Sequence, residues 1–368
     1  MDKDHIIVGI SHGDINGIGY EVIIKSLMDN RVMDNITPVV YGSPKVAAYH
    51  RKALNISNFS FNNINDASEA NHKRANIINC LDDDVRVELG KSTSMAGESA
   101  IKPLEAAVSD LMEKKIDVIV TAPINKFNIQ SEAFNFPGHT EYFKDRFGVE
   151  DVLMLLVTES LRVGVVTGHL PLREISDALS VEKIMKKIRI MDHSLTVDFA
   201  IRKPRIAVLS LNPHSGDSGL LGDEEQEIIM PAIDQAAEEG ILAFGPYPSD
   251  GFFGSGSYKA FDGILAMYHD QGLTPFKALA LGEGVNFTAG LPVIRTSPSH
   301  GTAYEIAGQG EASENSFRKA LYLACDIYRN REMYREINSK PLKHHDLDPR
   351  SDSPDELPPD DNNTTNTI

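Results

Sequence analysis

The chain has 368 residues, 41% of them apolar, which is enough for one large or two interlocked α/β domains with a substantial core. Its 53 acidic residues against 36 basic ones give a formal charge of -17, which argues against a nucleic-acid or anionic-membrane partner, because such surfaces need clustered Lys and Arg. No apolar run approaches the ~20 residues that span a bilayer, and the opening MDKDHIIVGI has neither a basic region nor a cleavable apolar one, so a cytoplasmic protein is expected.

The first predicted strand is HIIVGI (5–10), and SHGDINGIGYE (11–21) links it to a helix. Gly13, Gly17 and Gly19 give GxxxGxG where a dinucleotide-binding fingerprint needs GxGxxG, so this stretch reads as a tight turn packing helix on sheet. TPVVYG (37–42) is the second strand. Cys80 follows in ANIINCL and Cys325 lies far downstream in LYLACDIY. Both sit in apolar patterns, form no CxxC pair or disulfide framework, and read as core. A helix over 94–114 precedes the strand IDVIVTA (116–122), and FPGHTEYF places His139 and Thr140 at a helix start.

Four strands come next: VLMLLV (152–157), RVGVVT (162–167), RIAVLSL (205–211) and GILAMY (263–268). Helices are predicted over 181–202, 223–239 and 313–337. Continuous apolarity in the strands suggests cover on both faces, and strand-helix alternation means a largely parallel α/β sheet. From Pro341 the sequence is rich in Pro, Asp and Asn, so 341–368 is expected to be a disordered acidic tail with a solvated His344-His345 pair, leaving 1–340 as the catalytic unit.

Three of these strands run into histidines: RVGVVTGH into His169, RIAVLSLNPH into His214 and GILAMYH into His269. Ligands of open α/β sheets gather at carboxyl ends of strands. Three neutral imidazoles there would leave positions open on a divalent ion, as a catalytic metal site requires. The spacing matches no local metal motif, and a lone histidine after a strand is most often a loop residue. Close behind His269 come Lys277, Asn286 and Arg295, which with His139 and Thr140 at a helix start suit an anionic, phosphorylated substrate. There is no GxxxxGK[ST] phosphate loop and no GxSxG nucleophile elbow.

As a set, GDINGIGYE, VTAPINK, PGHTEYF, TGHLPLREI, LNPHSGD, GPYPSD, AMYHDQG and GVNFTAGLPVIRTSPSHGTAYEIAG resemble the 4-hydroxythreonine-4-phosphate dehydrogenase family of pyridoxal phosphate biosynthesis, in order from about residue 5 to 335. The resemblance implies a homodimer of the isocitrate and isopropylmalate dehydrogenase type, two α/β domains with the active site in the cleft between them. It implies one divalent ion (Zn, Co, Mg or Mn) on His169, His214 and His269, shared across the dimer. It also implies a substrate held by His139, Thr140, Lys277, Asn286 and Arg295 with Asp250 close by, and NAD, or its 2′-phosphorylated form NADP, taken by the loop containing His300, Gly301, Thr302 and Ala303. Asp270 and Gln271 would orient imidazoles or move a proton. The chain departs from the family pattern GDPAGIGPE at Ile15, Asn16 and Tyr20, and Gly251 follows Asp250 where the family often has Thr. Two other readings use the same residues: relatives that oxidise 4-phospho-D-threonate or 4-phospho-D-erythronate, and a metal-dependent hydrolase or aldolase acting without NAD. A non-catalytic binder of phosphorylated ligands would have no use for three strand-end histidines.

Overall fold

The computed structural model describes residues 5–131 and 134–339, so the predicted tail at 341–368 lies outside the described residues. All seven predicted strands form: β1 (Ile6–Ser11), β2 (Ile36–Gly42), β5 (Val118–Thr121), β6 (Leu153–Val157), β7 (Arg162–Val165), β8 (Arg205–Leu209) and β10 (Gly263–Ala266). Five more join them: β3 (Asn62–Ile64), β4 (Asn76–Asn79), β9 (Leu242–Tyr247), β11 (Val285–Ala289) and β12 (Arg295–Pro298). Together they make one twelve-stranded sheet in the order β3-β4-β2-β1-β5-β12-β11-β6-β7-β10-β8-β9.

The nine α-helices of the described residues are α1 (Gly19–Leu27), α2 (Pro44–Ala53), α3 (Ser94–Met112), α4 (His139–Arg146), α5 (Val181–Val197), α6 (Met230–Glu238), α7 (Ser249–Gly254), α8 (His269–Ala280) and α9 (Asn315–Ser339). Hydroxyl caps mark several helix starts. Ser43, Thr93 and Ser180 accept from Val46, Ala96 and Lys183 N–H groups at the heads of α2, α3 and α5. None of the described helices is long and apolar enough to cross a membrane.

The sheet has two parallel blocks. β3-β4-β2-β1-β5-β12 run one way, β7-β10-β8-β9 run the other, and the antiparallel pairs β12-β11, β11-β6 and β6-β7 join them. The sheet is therefore largely parallel as expected, with an antiparallel seam that continuous apolarity could not announce. Central strands are buried throughout: Val8, Ile10, Ile119, Val120, Ala207, Val208 and Leu265 are all inaccessible to solvent. Each such Val, Leu or Ile contributes roughly 1.5–3 kcal/mol. Cys325 joins this core and Cys80 packs half-buried at its edge; both are free thiols.

The first glycine segment is the tight turn expected. Gly13 has φ +74°, and a Cβ there would lie 2.4 Å from the Pro123 carbonyl. A second close approach lies in α3, where a Cβ on Gly97 would stand 2.0 Å from the Asn128 carbonyl. Gly→Ala in a helix normally adds about 1 kcal/mol of stability. Here Gly97→Ala is expected to lower it, because α3 and the loop after β5 must separate. Urea unfolding of the variant, with a midpoint below the parent's, is the check.

Candidate active site

Three elements of the seam supply the floor of a cavity of about 250 Å³, with Met154 and Leu156 from β6, Asn286 from β11, and Arg295 and Ser297 from β12. The end of β5 (Thr121, Ala122), the head of α4, the loop after β7 and α8 form its walls. The sheet order explains how the histidine-bearing strands meet: β7, β10 and β8 are adjacent and point the same way. His169 and His269 emerge from neighbours, and their rings stand 5.5 Å apart, tilted by 42°.

Arg295 is the electrostatic centre. It is 2% exposed, and its Nε and Nη2 donate to Thr121 Oγ1 at 3.1 and 2.7 Å while Nη1 donates to Thr288 Oγ1 at 3.2 Å. These acceptors are neutral hydroxyls. No carboxylate of the described residues forms an ion pair with it. Burial lowers its pKa to about 9, and a guanidinium has five N–H groups, so two remain for a ligand. The Phe143 ring lies 5.9 Å away.

Around it are polar atoms lacking partners. His139 Nε2, Asn286 Oδ1 and His300 Nε2 are buried without a hydrogen bond, and all three residues line the cavity. Burial first, then Arg295 and Lys126, hold the His139 pKa well below the ordinary histidine value, so its imidazole is neutral. Thr140 is the second residue of α4, where free backbone N–H groups favour an anion. Lys277 comes in from the last turn of α8. Buried polar groups without partners are costly unless a ligand or water satisfies them.

The two imidazoles fit a cation. His269 Nδ1 is engaged by Asp270 Oδ1 at 2.7 Å, which leaves Nε2 available. His169 Nε2 lies 3.0 Å from Lys126 Nζ, an ammonium standing where that lone pair faces positive charge. Burial lowers the His169 pKa, with Lys126 acting in the same direction, so this ring is neutral too. Glu141 Oε1 is 4.0 Å from His169 Nδ1.

His139, Thr140, Lys277, Asn286, Arg295, His300 and Gly301 all line the cavity beside His169 and His269. Asp270 borders a smaller adjoining one with His169 and His269. Gln271 serves the scaffold: its amide accepts from Met267 N and donates to the Ser210 carbonyl, tying β10 to β8. Thr302 and Ala303 do not line the cavity. Thr302 backs onto the glycine turn, where its carbonyl accepts from Ile18 N at 3.0 Å. His214, in the loop after β8, and Asp250, in α7, also lie outside the cavity lining. Among the described residues no three His, Cys, Asp or Glu side chains form a set able to hold a metal.

Sequence reading missed Lys126, Glu141 and Thr121. Lys126 and Thr121 sit at the end of β5, the same strand-end position that singled out the histidines. It also missed Asp14, which is 1% exposed and joins three loops. Its carboxylate accepts from Asn16 N at 2.8 Å, Asn128 Nδ2 at 2.9 Å and the Tyr304 hydroxyl at 2.7 Å.

The family described as "Pyridoxal phosphate biosynthetic protein PdxA" matches residues 34–324. The chain is 56% identical to a 4-hydroxythreonine-4-phosphate dehydrogenase of Bacteroides thetaiotaomicron over 96% of its length and 97% of the relative's. It is 38% identical to a D-threonate 4-phosphate dehydrogenase of Cupriavidus necator, over 88% and 98% of the two chains. A crystal structure of 4-hydroxythreonine-4-phosphate dehydrogenase from Klebsiella pneumoniae superposes with a TM-score of 0.75 at 35% identity, covering 88% of this chain and 98% of that one. By its sequence and its fold, this chain belongs to the PdxA family.

Proposed function

We propose that the protein is a dehydrogenase that oxidises 4-phosphooxy-L-threonine at C3 with NAD⁺, giving 2-amino-3-oxo-4-phosphooxybutanoate, which decarboxylates to 3-amino-2-oxopropyl phosphate on the route to pyridoxine 5′-phosphate. The observation that carries this reading is the buried Arg295, held only by neutral hydroxyls and opening into the same cavity as the His169–His269 pair. A phosphate there satisfies the cation, and the reacting carbon then lies toward the imidazoles.

Arg295, Lys277 and the head of α4 at Thr140 bind the phosphate. Asn286 and the neutral His139 give their unpaired polar atoms to the substrate's amine and hydroxyl groups. Lys126 adds positive charge for the carboxylate. His169 and His269 would hold a divalent ion, with Asp270 fixing the second ring, and His214 from a second copy of the chain would complete the set in a homodimer, with Asp250 near the substrate. When bound, the ion supplies Lewis-acid polarisation of the C3 oxygen. The 299–308 loop would hold NAD, since His300 Nε2 lacks a partner there and a Cβ on Gly301 would meet open space. When bound, NAD⁺ would supply the acceptor for the hydride from C3; the hydroxyl proton would go to solvent or a base, and the resulting β-keto acid would release carbon dioxide.

The test compares NADH formation with 4-phosphooxy-L-threonine, 4-phospho-D-threonate and unphosphorylated 4-hydroxy-L-threonine. The amino phosphate should turn over fastest and the unphosphorylated compound hardly at all. Preference for the D-threonate phosphate would move the protein to the relatives of that name, and silence on all three would refute dehydrogenation.

A further inference from the structure

The loop that carries His214 has an unusual backbone. From His214 to Gly219 six consecutive residues have positive φ: 54°, 54°, 77°, 43°, 59° and 95°. Four of them, His214, Ser215, Asp217 and Ser218, carry a Cβ, which this left-handed region disfavours. Such a run persists only where the surroundings over-determine it, and observed strain of this kind is a pointer to function.

One buried carboxylate holds the segment that enters this turn and packs against the turn itself. Glu225 is 2% exposed. Its Oε1 accepts from the backbone N–H groups of Leu211 and Asn212 at 2.8 and 2.7 Å, and its Oε2 accepts from Asn212 Nδ2 at 3.0 Å. The same Oε2 lies against the turn itself, 2.7 Å from where a Cβ of Gly216 would be. The neighbouring Glu224 reaches Asn212 Nδ2 as well, at 2.7 Å, and ties it to Ser176.

Adjacent residues of an α-helix diverge by about 100°. Here two consecutive glutamates converge on one asparagine at the mouth of a π-helical turn, Glu225–Ile229, that leads into α6. Such widened turns concentrate at functional sites. No cation of the described residues forms an ion pair with Glu225, so its partners are the loop.

We propose that Glu225 is a positioning residue whose carboxylate latches the left-handed turn 214–219 and so sets the direction in which His214 leaves the fold to meet a divalent ion. The inference rests on the reading of His214 as a metal ligand. It adds that the ligand is aimed by a carboxylate eleven residues away, acting through backbone.

The test measures zinc dissociation constants by competition with a chromophoric chelator, alongside thermal midpoints, for the parent, Glu225→Gln, His214→Ala and the double variant Ser215→Gly/Asp217→Gly. Glutamine turns an amide donor toward the Asn212 amide, so Glu225→Gln should weaken zinc binding by about tenfold or more, the range seen when groups supporting a ligand are lost. The glycine pair, which accepts positive φ freely, should raise the thermal midpoint. Adding it to Glu225→Gln should restore the midpoint but not the zinc affinity, which keeps the test valid if the single variant folds poorly. Parent-like zinc affinity in Glu225→Gln, with His214→Ala weakened, would overturn the latch alone. Parent-like affinity in His214→Ala would overturn the ligand reading and the latch with it.

Discussion

Replacing Arg295 by methionine should lower kcat/KM for the phosphorylated substrate by about a thousandfold and at the same time raise the thermal midpoint. The loss follows from the two N–H groups that remain after Thr121 and Thr288 are served. Hydrogen bonds to charged groups are worth about 1.5–3 kcal/mol each, so two of them to a phosphate amount to about 4 kcal/mol, or three powers of ten.

The gain follows from the same burial. A guanidinium with only hydroxyl acceptors is a desolvated cation, and its folded-state pKa of about 9 lies below the unfolded value. The charged form is therefore the disfavoured one in the folded protein. The cost is fully present at every pH well below 9, including the neutral range, and lessens as pH rises through that value. Methionine fills similar space without charge, and relieving about 1 kcal/mol would raise the midpoint of a protein this size by roughly 2 °C. A variant that is both inactive and less stable would mean that Arg295 holds the fold, and that the phosphate contacts lie elsewhere.

The second large effect is expected at His269. His269→Ala removes one of the two neighbouring imidazoles, and turnover should fall by at least about a thousandfold, because metal polarisation is worth several kcal/mol. Asp270→Asn should be graded. The ring keeps its nitrogen but loses the carboxylate that fixes it at 2.7 Å, so metal affinity should drop roughly 10–100-fold and activity should return at higher metal concentration. Steady-state rates titrated with metal separate the two. If His269→Ala keeps parent activity in the presence of chelator, the pair is not a metal site.

The parts of the fold legible in the sequence were those that advertise themselves by apolarity. RIAVL and GILA became buried parallel strands and their histidines appeared at the ends. β12 was invisible as a strand because its sequence is RTSP, yet it lies at the middle of the sheet. Tertiary context overrode propensity there: Arg295 and Ser297 are buried facing the cavity, while the Thr296 hydroxyl donates to the Ala320 carbonyl of α9. α8 was hidden by Pro275 and by a start made of polar residues, His269 to Gln271.

The same limit applied to chemistry. Lys126 follows a strand as the histidines do, but Glu141 has no such signal, and only the fold brings both to His169, with Lys126 Nζ at 3.0 Å and Glu141 Oε1 at 4.0 Å. Asp14 read as part of a turn because its partners, Asn128 and Tyr304, are 114 and 290 residues away. Sequence alone noted three histidines after three strands without saying whether one chain or two would bring them together; a single chain brings His169 and His269 together and carries His214 on a separate, left-handed loop.

The central claim is that the imidazole pair and the phosphate-binding groups of one cavity serve a metal-dependent dehydrogenation. It is tested most directly by following NADH formation from 4-phosphooxy-L-threonine with protein stripped by a chelator, before and after adding back Zn²⁺, Co²⁺, Mn²⁺ or Mg²⁺. Loss of turnover on stripping and its return with at least one of these ions is the predicted result. Undiminished NADH formation by the stripped protein would contradict it.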